Sequence, residues 1–346
     1  MNIKEIAQTA GVSQATVSRV LNGKENVNKD TREKVLAVVK ELGYDKKIFE
    51  KSNSISNNKI ITVVLHDIHK PFYHDLLYYF QKYAQHLSYE VLFYSTFGGE
   101  SSSIADRIEM MTRISAGIIL FSSYVNEFEL IRKLQENEYP VVVIDNSFPG
   151  IEFNTLMVNN RGGAEQAVEY LLQQGHRRIA CLAGSPNLMV WADRLNGYIE
   201  TMRRNNILIH KDYIQYAVND IDGVEEAVHA FLNLDDQVRP TAICCFDDAA
   251  AYTAIGYIEN AGLKVPRDIS VIGFDCQRFK PNFYQGPELT SIRQPFELLA
   301  KDSLELIAGK LSGRCADVQV HELYDTELYV GGTTAEIVKK DTRKQK

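Results

Sequence analysis

In the segment QATVSRVL, residues 14 to 21, Gln14, Ala15 and Arg19 are polar or small residues interleaved with aliphatic ones at helical spacing. These three side chains suit the reading of base edges in a major groove. Glutamine pairs bidentately with adenine, arginine with guanine, and alanine touches a thymine methyl. Ser13, Thr16, Ser18, Asn22, Asn28 and Thr31 surround them with short hydrogen-bonding groups suited to phosphate oxygens. Other reactive residue types form no comparable pattern. His66, His69, His74 and His86 are scattered without metal-ligand spacing, and no GxSxG, Walker or GxGxxG motif occurs. Cys181, Cys244, Cys245, Cys276 and Cys315 include no CxxC pair, and three lie in apolar runs, so reduced, buried thiols are expected. Recognition is therefore expected rather than catalysis, with no metal and no cofactor.

The elements that must position these residues are legible around them. IKEIAQTA carries Ile3, Ile6, Ala7 and Ala10 on one helical face, and Gly11 breaks it. Ser13 is placed to cap the next helix, which turns Ala15, Val17, Val20 and Leu21 partly inward before Asn22–Gly23 ends it. Thr31 is expected to cap a third helix, REKVLAVVKELGY, with Val35, Val38, Val39 and Leu42 inward. Two helices joined by AGVS and backed by a third describe a helix-turn-helix over residues 1–44. Residues 45–58 are polar and rich in Ser and Asn, and read as a linker with a short helix in KKIFEK. Residues 1–58 hold ten Lys/Arg against seven Asp/Glu, so +3, which leaves −10 of the net −7 for the remainder. A slightly basic head on an acidic body fits a polyanion-binding module joined to a domain with another partner.

From residue 59 apolar runs alternate with amphipathic stretches: IITVVLH, EVLFYS, GIILF, VVVID, RIACLA, AICCF and VIGF. Such alternation predicts α/β architecture with parallel sheets covered by helices, and the strands are too many for one compact unit. Two doubly wound lobes are expected in residues 59–336: the first about 59–158 plus 291–320, the second about 159–290 plus 321–336, with 337–346 a basic tail. Ligand is expected in a cleft facing the strand carboxyl ends. No apolar run suffices for a membrane span and MNIKEIAQ has no secretory pattern, so a cytoplasmic location is expected.

The stretch IKEIAQTAGVSQATVSRVLNGKENVNKDTREKVLAVVKELGY resembles the DNA-binding head of the lac/gal repressor family, a family of bacterial transcription regulators. DIHKPFY, GHRRIACLAG, RLNGY, FDDAAAYTAIGYIENAGLKVPRDISVIGFD and PELTSIRQPF extend the resemblance along the body in the family's order and spacing. The resemblance implies a homodimeric repressor whose two-lobed body is like periplasmic sugar-binding proteins. It binds double-stranded operator DNA, and a small effector bound between the lobes changes operator affinity. One segment departs from the pattern. Lys46, Lys47, Glu50 and Asn53 stand where the family has Pro, Asn, Ala and a Leu that wedges into the minor groove, leaving Ile48, Phe49 or Ile55 as substitutes in a shifted hinge helix.

The resemblance also implies an effector set. Phe72 and Tyr73 are candidates to stack on a sugar face or to pack a helix. Asp145, Asp247 and Asp275, each following an apolar run, are candidate hydroxyl acceptors, and Arg194 corresponds to the family's ligand-clamping arginine. Trp191, the only tryptophan, lies three residues before it; Gln294 and Phe296 fall at a lobe crossing, and Ser122 and Ser123 are weaker candidates. Carboxylates, one arginine and several rings suit a neutral carbohydrate of a sugar-utilisation operon. Control by a purine corepressor or a phosphocarrier protein is the alternative.

Overall fold

The structure is a computed structural model that describes residues 3–21, 27–41, 59–96, 101–121, 128–146, 153–186, 188–217, 221–278, 280–282, 284–313 and 319–337. The head consists of α1 (Ile3–Ala10), α2 (Gln14–Leu21) and α3 (Lys29–Glu41). Ile6, Ala7, Ala10, Val17, Val20, Val35, Val38 and Val39 form its core. Gly11 follows α1 at φ +63°, a left-handed conformation that glycine adopts without steric cost, and Val12 N–H closes the turn on Ala7 O at 3.0 Å. Ser13 Oγ accepts the Thr16 N–H at 3.1 Å and caps α2. The third helix starts earlier than the sequence suggests: Asn28 Oδ1 accepts the Asp30 N–H at 3.0 Å, so Asn28 is the cap and Thr31 lies within the first turn. Asparagine at Asn28 meets the orphan donors of the first turn three residues before a threonine could. The segment 45–58, with its expected short helix, lies outside the described residues.

The body runs β1 (Ile60–Leu65), α4 (Tyr73–His86), β2 (Glu90–Ser95), α5 (Ser101–Met111), β3 (Gly117–Phe121), α6 (Phe128–Glu136), β4 (Val141–Ile144) and β5 (Asn154–Val158). It continues through α7 (Asn160–Gln173), β6 (Ile179–Ala183), α8 (Met189–Arg204), β7 (Ile214–Tyr216), α9 (Ile221–Leu232), β8 (Ala242–Cys245), α10 (Asp248–Asn260) and β9 (Ser270–Asp275). Last come β10 (Thr290–Arg293), α11 (Phe296–Leu311), β11 (His321–Tyr324) and β12 (Glu327–Tyr329). No described helix is long and apolar enough to cross a membrane.

Among the described residues two six-stranded sheets result, in the orders β11-β5-β4-β3-β1-β2 and β12-β10-β9-β8-β6-β7. β3, β4, β6 and β8 are buried throughout, as strands of a parallel sheet covered on both faces must be. The exchange of chain between the sheets differs in detail from the expected one. β10 pairs in parallel with β9, so residues 290–293 belong to the second sheet, where Ile292 is fully buried in the core. β11 lies beside β5 at the edge of the first sheet, and Asn159 N–H donates to Tyr324 O at 2.8 Å. β5, β7 and β11 carry no long apolar run in NTLMV, IQY and HELY, which is why they escape a pattern search.

The described residues form two compact units, one comprising the segments up to Ile68, Tyr79–Thr155 and Ala300–His321, the other His69–Tyr78, Leu156–Leu299 and those from Glu322 onward. His69–Tyr78 joins the second unit through side chains: the Phe72 ring lies 6.1 Å from Phe296, and Arg278 lies 3.5 Å from Asp75 and 5.8 Å from the Tyr78 ring.

Candidate functional site

On α2, Gln14, Ala15 and Arg19 are exposed while Val17 and Val20 are buried, so the helix presents the three base-reading candidates together. Ala15 does not turn inward, since Val17 and Val20 alone fill that face among the described side chains. Ser13 is exposed and Thr16 half-buried, and their hydroxyls are 2.8 Å apart. Asn28 is exposed and Thr31 half-buried at the start of α3. Asn22 and the side chain of Ser18 lie outside the described residues.

The second unit gathers a separate polar site at the carboxyl ends of β6, β8, β9 and β10. In this sheet the chain leaves β6 toward β7 on one side and toward β8 on the other, and the crevice outside such a switch point is where doubly wound sheets hold ligands. Arg194, on α8, is 8% exposed. Its Nε donates to Asn160 Oδ1 at 2.8 Å and its Nη1 to the Phe246 carbonyl at 2.5 Å and Asp275 Oδ1 at 3.4 Å. The guanidinium lies 3.6 Å from the centroid of the Phe274 ring. Asn160 is itself fixed by Nδ2 donating to Val158 O at 3.2 Å. The fork is thus held from two sides, and Nη2 has no hydrogen-bond partner among the described residues.

Asp275 ends β9 and is buried, at φ +106°. Gln294 Nε2 donates to its Oδ1 at 2.5 Å. That bond fixes the orientation of the amide, because the opposite one would set oxygen against carboxylate. Gln294 Oε1 is then left buried with no partner. Burial raises the Asp275 pKa to about 7; Arg194 pulls it down, Asp247 pushes it up and the Gln294 hydrogen bond lowers it. Asp247 follows Phe246, is half-buried, and caps α10 by accepting the Ala250 N–H at 2.7 Å. Its pKa is also raised by burial, against the Ala250 N–H, Lys70 and Arg194. Asp248, absent from the sequence-derived set, is buried beside them, and its pKa is pushed well above the carboxylate range by burial and then by Asp275.

The aromatic candidates divide. Trp191 is half-buried, packs over Gly184 and meets the Phe246 ring edge-on at 5.2 Å, so part of its surface is occupied by the wall it belongs to. Tyr73 and Phe296 are buried, whereas Phe72, 4.0 Å from Tyr73, is half-buried. Asp145 follows β4 in the first unit, buried, at φ +53°. Ser122 and Ser123 lie outside the described residues. Cys181, Cys244 and Cys245 are buried free thiols and Cys276 is a half-buried one. Asn160, Asp248 and the Phe246 carbonyl are the contributors that the sequence reading missed. The last carries no side-chain signature, and the first two sit in NNRGG and FDDAAA, where a cap is the ordinary reading.

Residues 2–46 match the family described as bacterial regulatory proteins, lacI family, and residues 168–334 match the periplasmic binding protein-like domain. The HTH-type transcriptional repressor CytR of Escherichia coli K12 is 30% identical over 334 residues, 96% of each chain. The HTH-type transcriptional repressor PurR of Photobacterium profundum is 28% identical over 93% of this chain and 95% of its own. Among solved structures, a lacI-family regulatory protein from Chloroflexus aggregans shares 26% identity over 81% of this chain and all of its own, with a TM-score of 0.70. The lac repressor dimer bound to operator and an anti-inducer shares 24% identity over 97% and 99%, at 0.68, a likeness of fold. A head with its reading helix exposed, a body of two parallel sheets and 30% identity to a repressor along nearly the whole length lead to one conclusion: the chain belongs to the lacI family of bacterial regulatory proteins and is a DNA-binding regulator of transcription.

Proposed function

We propose that the chain is a cytoplasmic homodimeric repressor without catalytic activity, and that a neutral, hydroxyl-rich small molecule of the carbohydrate class sets its operator affinity. Gln14, Ala15 and Arg19 read bases, and Ser13, Thr16, Ser18, Asn22, Asn28 and Thr31 hold the phosphates. The effector binds the second unit at Arg194, Asp275, Gln294 and Asp247, with Trp191 and Phe72 as ring surfaces; Asp145 of the first unit is a separate candidate acceptor. The observation that carries this reading is the excess of acceptors. Gln294 Oε1 is buried and unpaired, and Asp275 and Asp247 supply further carboxylate oxygens around one pinned arginine. A buried unpaired acceptor costs about 1–3 kcal/mol, which a ligand hydroxyl recovers. A phosphorylated ligand would meet more carboxylate than cation. The Trp191–Phe246 wall supports a second reading, a purine or nucleoside effector, in which a base lies against these rings.

Calorimetry of the full-length protein with free pentoses, hexoses, disaccharides, phosphosugars, purines and nucleosides separates the readings. The first expects binding by an unphosphorylated sugar, and loss of that binding in Arg194→Ala. Binding only by purines or nucleosides supports the second, and no binding by any member contradicts both.

A further inference from the structure

Asp275 and Cys276 are consecutive non-glycine residues with positive φ, +106° and +54°. L-residues leave this region unless surrounding contacts hold them there. The holding contacts converge on a side chain outside the ligand set. Asp248, 1% exposed, accepts the Gln277 N–H on Oδ2 at 2.7 Å and the Ser291 hydroxyl on Oδ1 at 2.6 Å. Ser291 Oγ in turn accepts the Cys276 N–H at 3.0 Å. Both backbone donors after Asp275 are thereby tied to one carboxylate, one directly and one through the hydroxyl. Room for it comes from Gly273, two residues upstream on the same strand: a Cβ there would overlap Asp248 Oδ1. A buried acid beside two others raises the electrostatic cost of the site, and burial and Asp275 both push its pKa up. The two hydrogen bonds on Asp248, from the Ser291 hydroxyl and the Gln277 N–H, act against that cost.

We propose that Asp248 and Ser291 are positioning residues which hold the Asp275–Gln277 turn in its strained form and so aim the Asp275 carboxylate at Arg194, Gln294 and the effector. This rests on the reading of Asp275 as an effector acceptor. Released from the clasp, the turn relaxes toward negative φ, and the carboxylate loses its register with Gln294 Nε2.

The test uses full-length protein with Asp248→Ala, Ser291→Ala, Asp248→Asn and the double Asp248→Ala/Ser291→Ala variant. Hydrogen–deuterium exchange of peptides covering residues 275–278, without any added molecule, should rise in both alanine variants. Asp248→Asn should stay protected, because its amide can accept from Gln277 N–H and donate to Ser291 Oγ. Calorimetry with the tightest binder among the sugars and nucleosides named above should show affinity reduced roughly tenfold in each alanine variant. The double variant should be no worse than Asp248→Ala, since the two side chains act as one clasp. Operator affinity without added sugar or nucleoside should be unchanged. Should Asp248→Ala fail to fold, Ser291→Ala carries the same expectations. Unchanged exchange in Ser291→Ala, or raised exchange with unchanged affinity, overturns the proposal. If no sugar or nucleoside binds wild type, the effector reading fails, and the proposed aim of Asp275 at an effector fails with it; the exchange arm still decides whether the clasp itself exists.

Discussion

Arg194 illustrates how much of this protein is set by single side chains. Its Nε and Nη1 are committed to Asn160, the Phe246 carbonyl and Asp275, so the guanidinium is preorganised and any ligand meets a donor that is already aimed. A lysine has the charge but not the fork. Arg194→Lys should therefore lose effector binding by about 1.5–3 kcal/mol per abandoned charge-assisted bond, measured by calorimetry. Asp275 gives a pH prediction of definite sign. Its folded pKa is raised from 3.8 to about 7, so between those values the folded state holds a proton that the unfolded state releases. Stability from this group is intact below about pH 4, falls as pH rises toward 7, and stays lowered above it. Asp247 and Asp248 shift the same way. Denaturant unfolding followed from pH 4 to 8 should show this decline, and Asp275→Asn should flatten it; an equally steep decline in the variant would contradict the assignment. Arg194, Asp275 and Gln294 were legible because they stand in recognisable motifs. Asn160 was not, because its partner is 34 residues away and only the fold brings them together.

At the scale of elements, the head was legible almost entirely, since eight aliphatic residues at helical spacing and one glycine break specify three helices. The error fell at a cap, where Asn28 and Thr31 are both good capping types and only geometry separates them. Asn28→Ala should destabilise the head by about 1 kcal/mol in thermal unfolding, as should Ser13→Ala, while Thr31→Ala should cost distinctly less. In the body, the strands that were read are those with apolar runs, most of them buried on both faces, with the edge strand β2 partly exposed; β5, β7 and β11 were missed because part of their surface is polar and their pairing is non-local. The linker at 45–58 is a proposal from sequence alone. Without the family's Pro, Ala and wedge Leu, operator bending should be small, sparing a deformation of about 1–6 kcal/mol. Circular-permutation gel shifts check this, and a bend of about 40° or more that Ile48→Ala, Phe49→Ala or Ile55→Ala reduces would show a shifted hinge helix instead.

At the scale of the molecule, the charge distribution and the two sites belong together. A net −10 beyond residue 58 disfavours contact of the body with the DNA polyanion, and the +3 of residues 1–58 leaves operator affinity to a few phosphate contacts and base readout. Operator binding should accordingly fall as salt rises, and Arg19→Ala should cost about 1–3 kcal/mol on the cognate site and relax one base preference. One molecule is expected to couple the α2 reading face to the Arg194–Asp275 site. Thermodynamics requires that coupling to be reciprocal: a sugar that changes operator affinity must have its own affinity changed by operator through the same factor. The most direct measurement is operator affinity by fluorescence anisotropy with and without a saturating sugar, for wild type and Arg194→Ala. Wild type should shift by about 5–150-fold, and Arg194→Ala should bind operator as tightly as unliganded wild type and show no shift. A shift of equal size in Arg194→Ala, or sugar binding that leaves operator affinity unchanged in wild type, would contradict it.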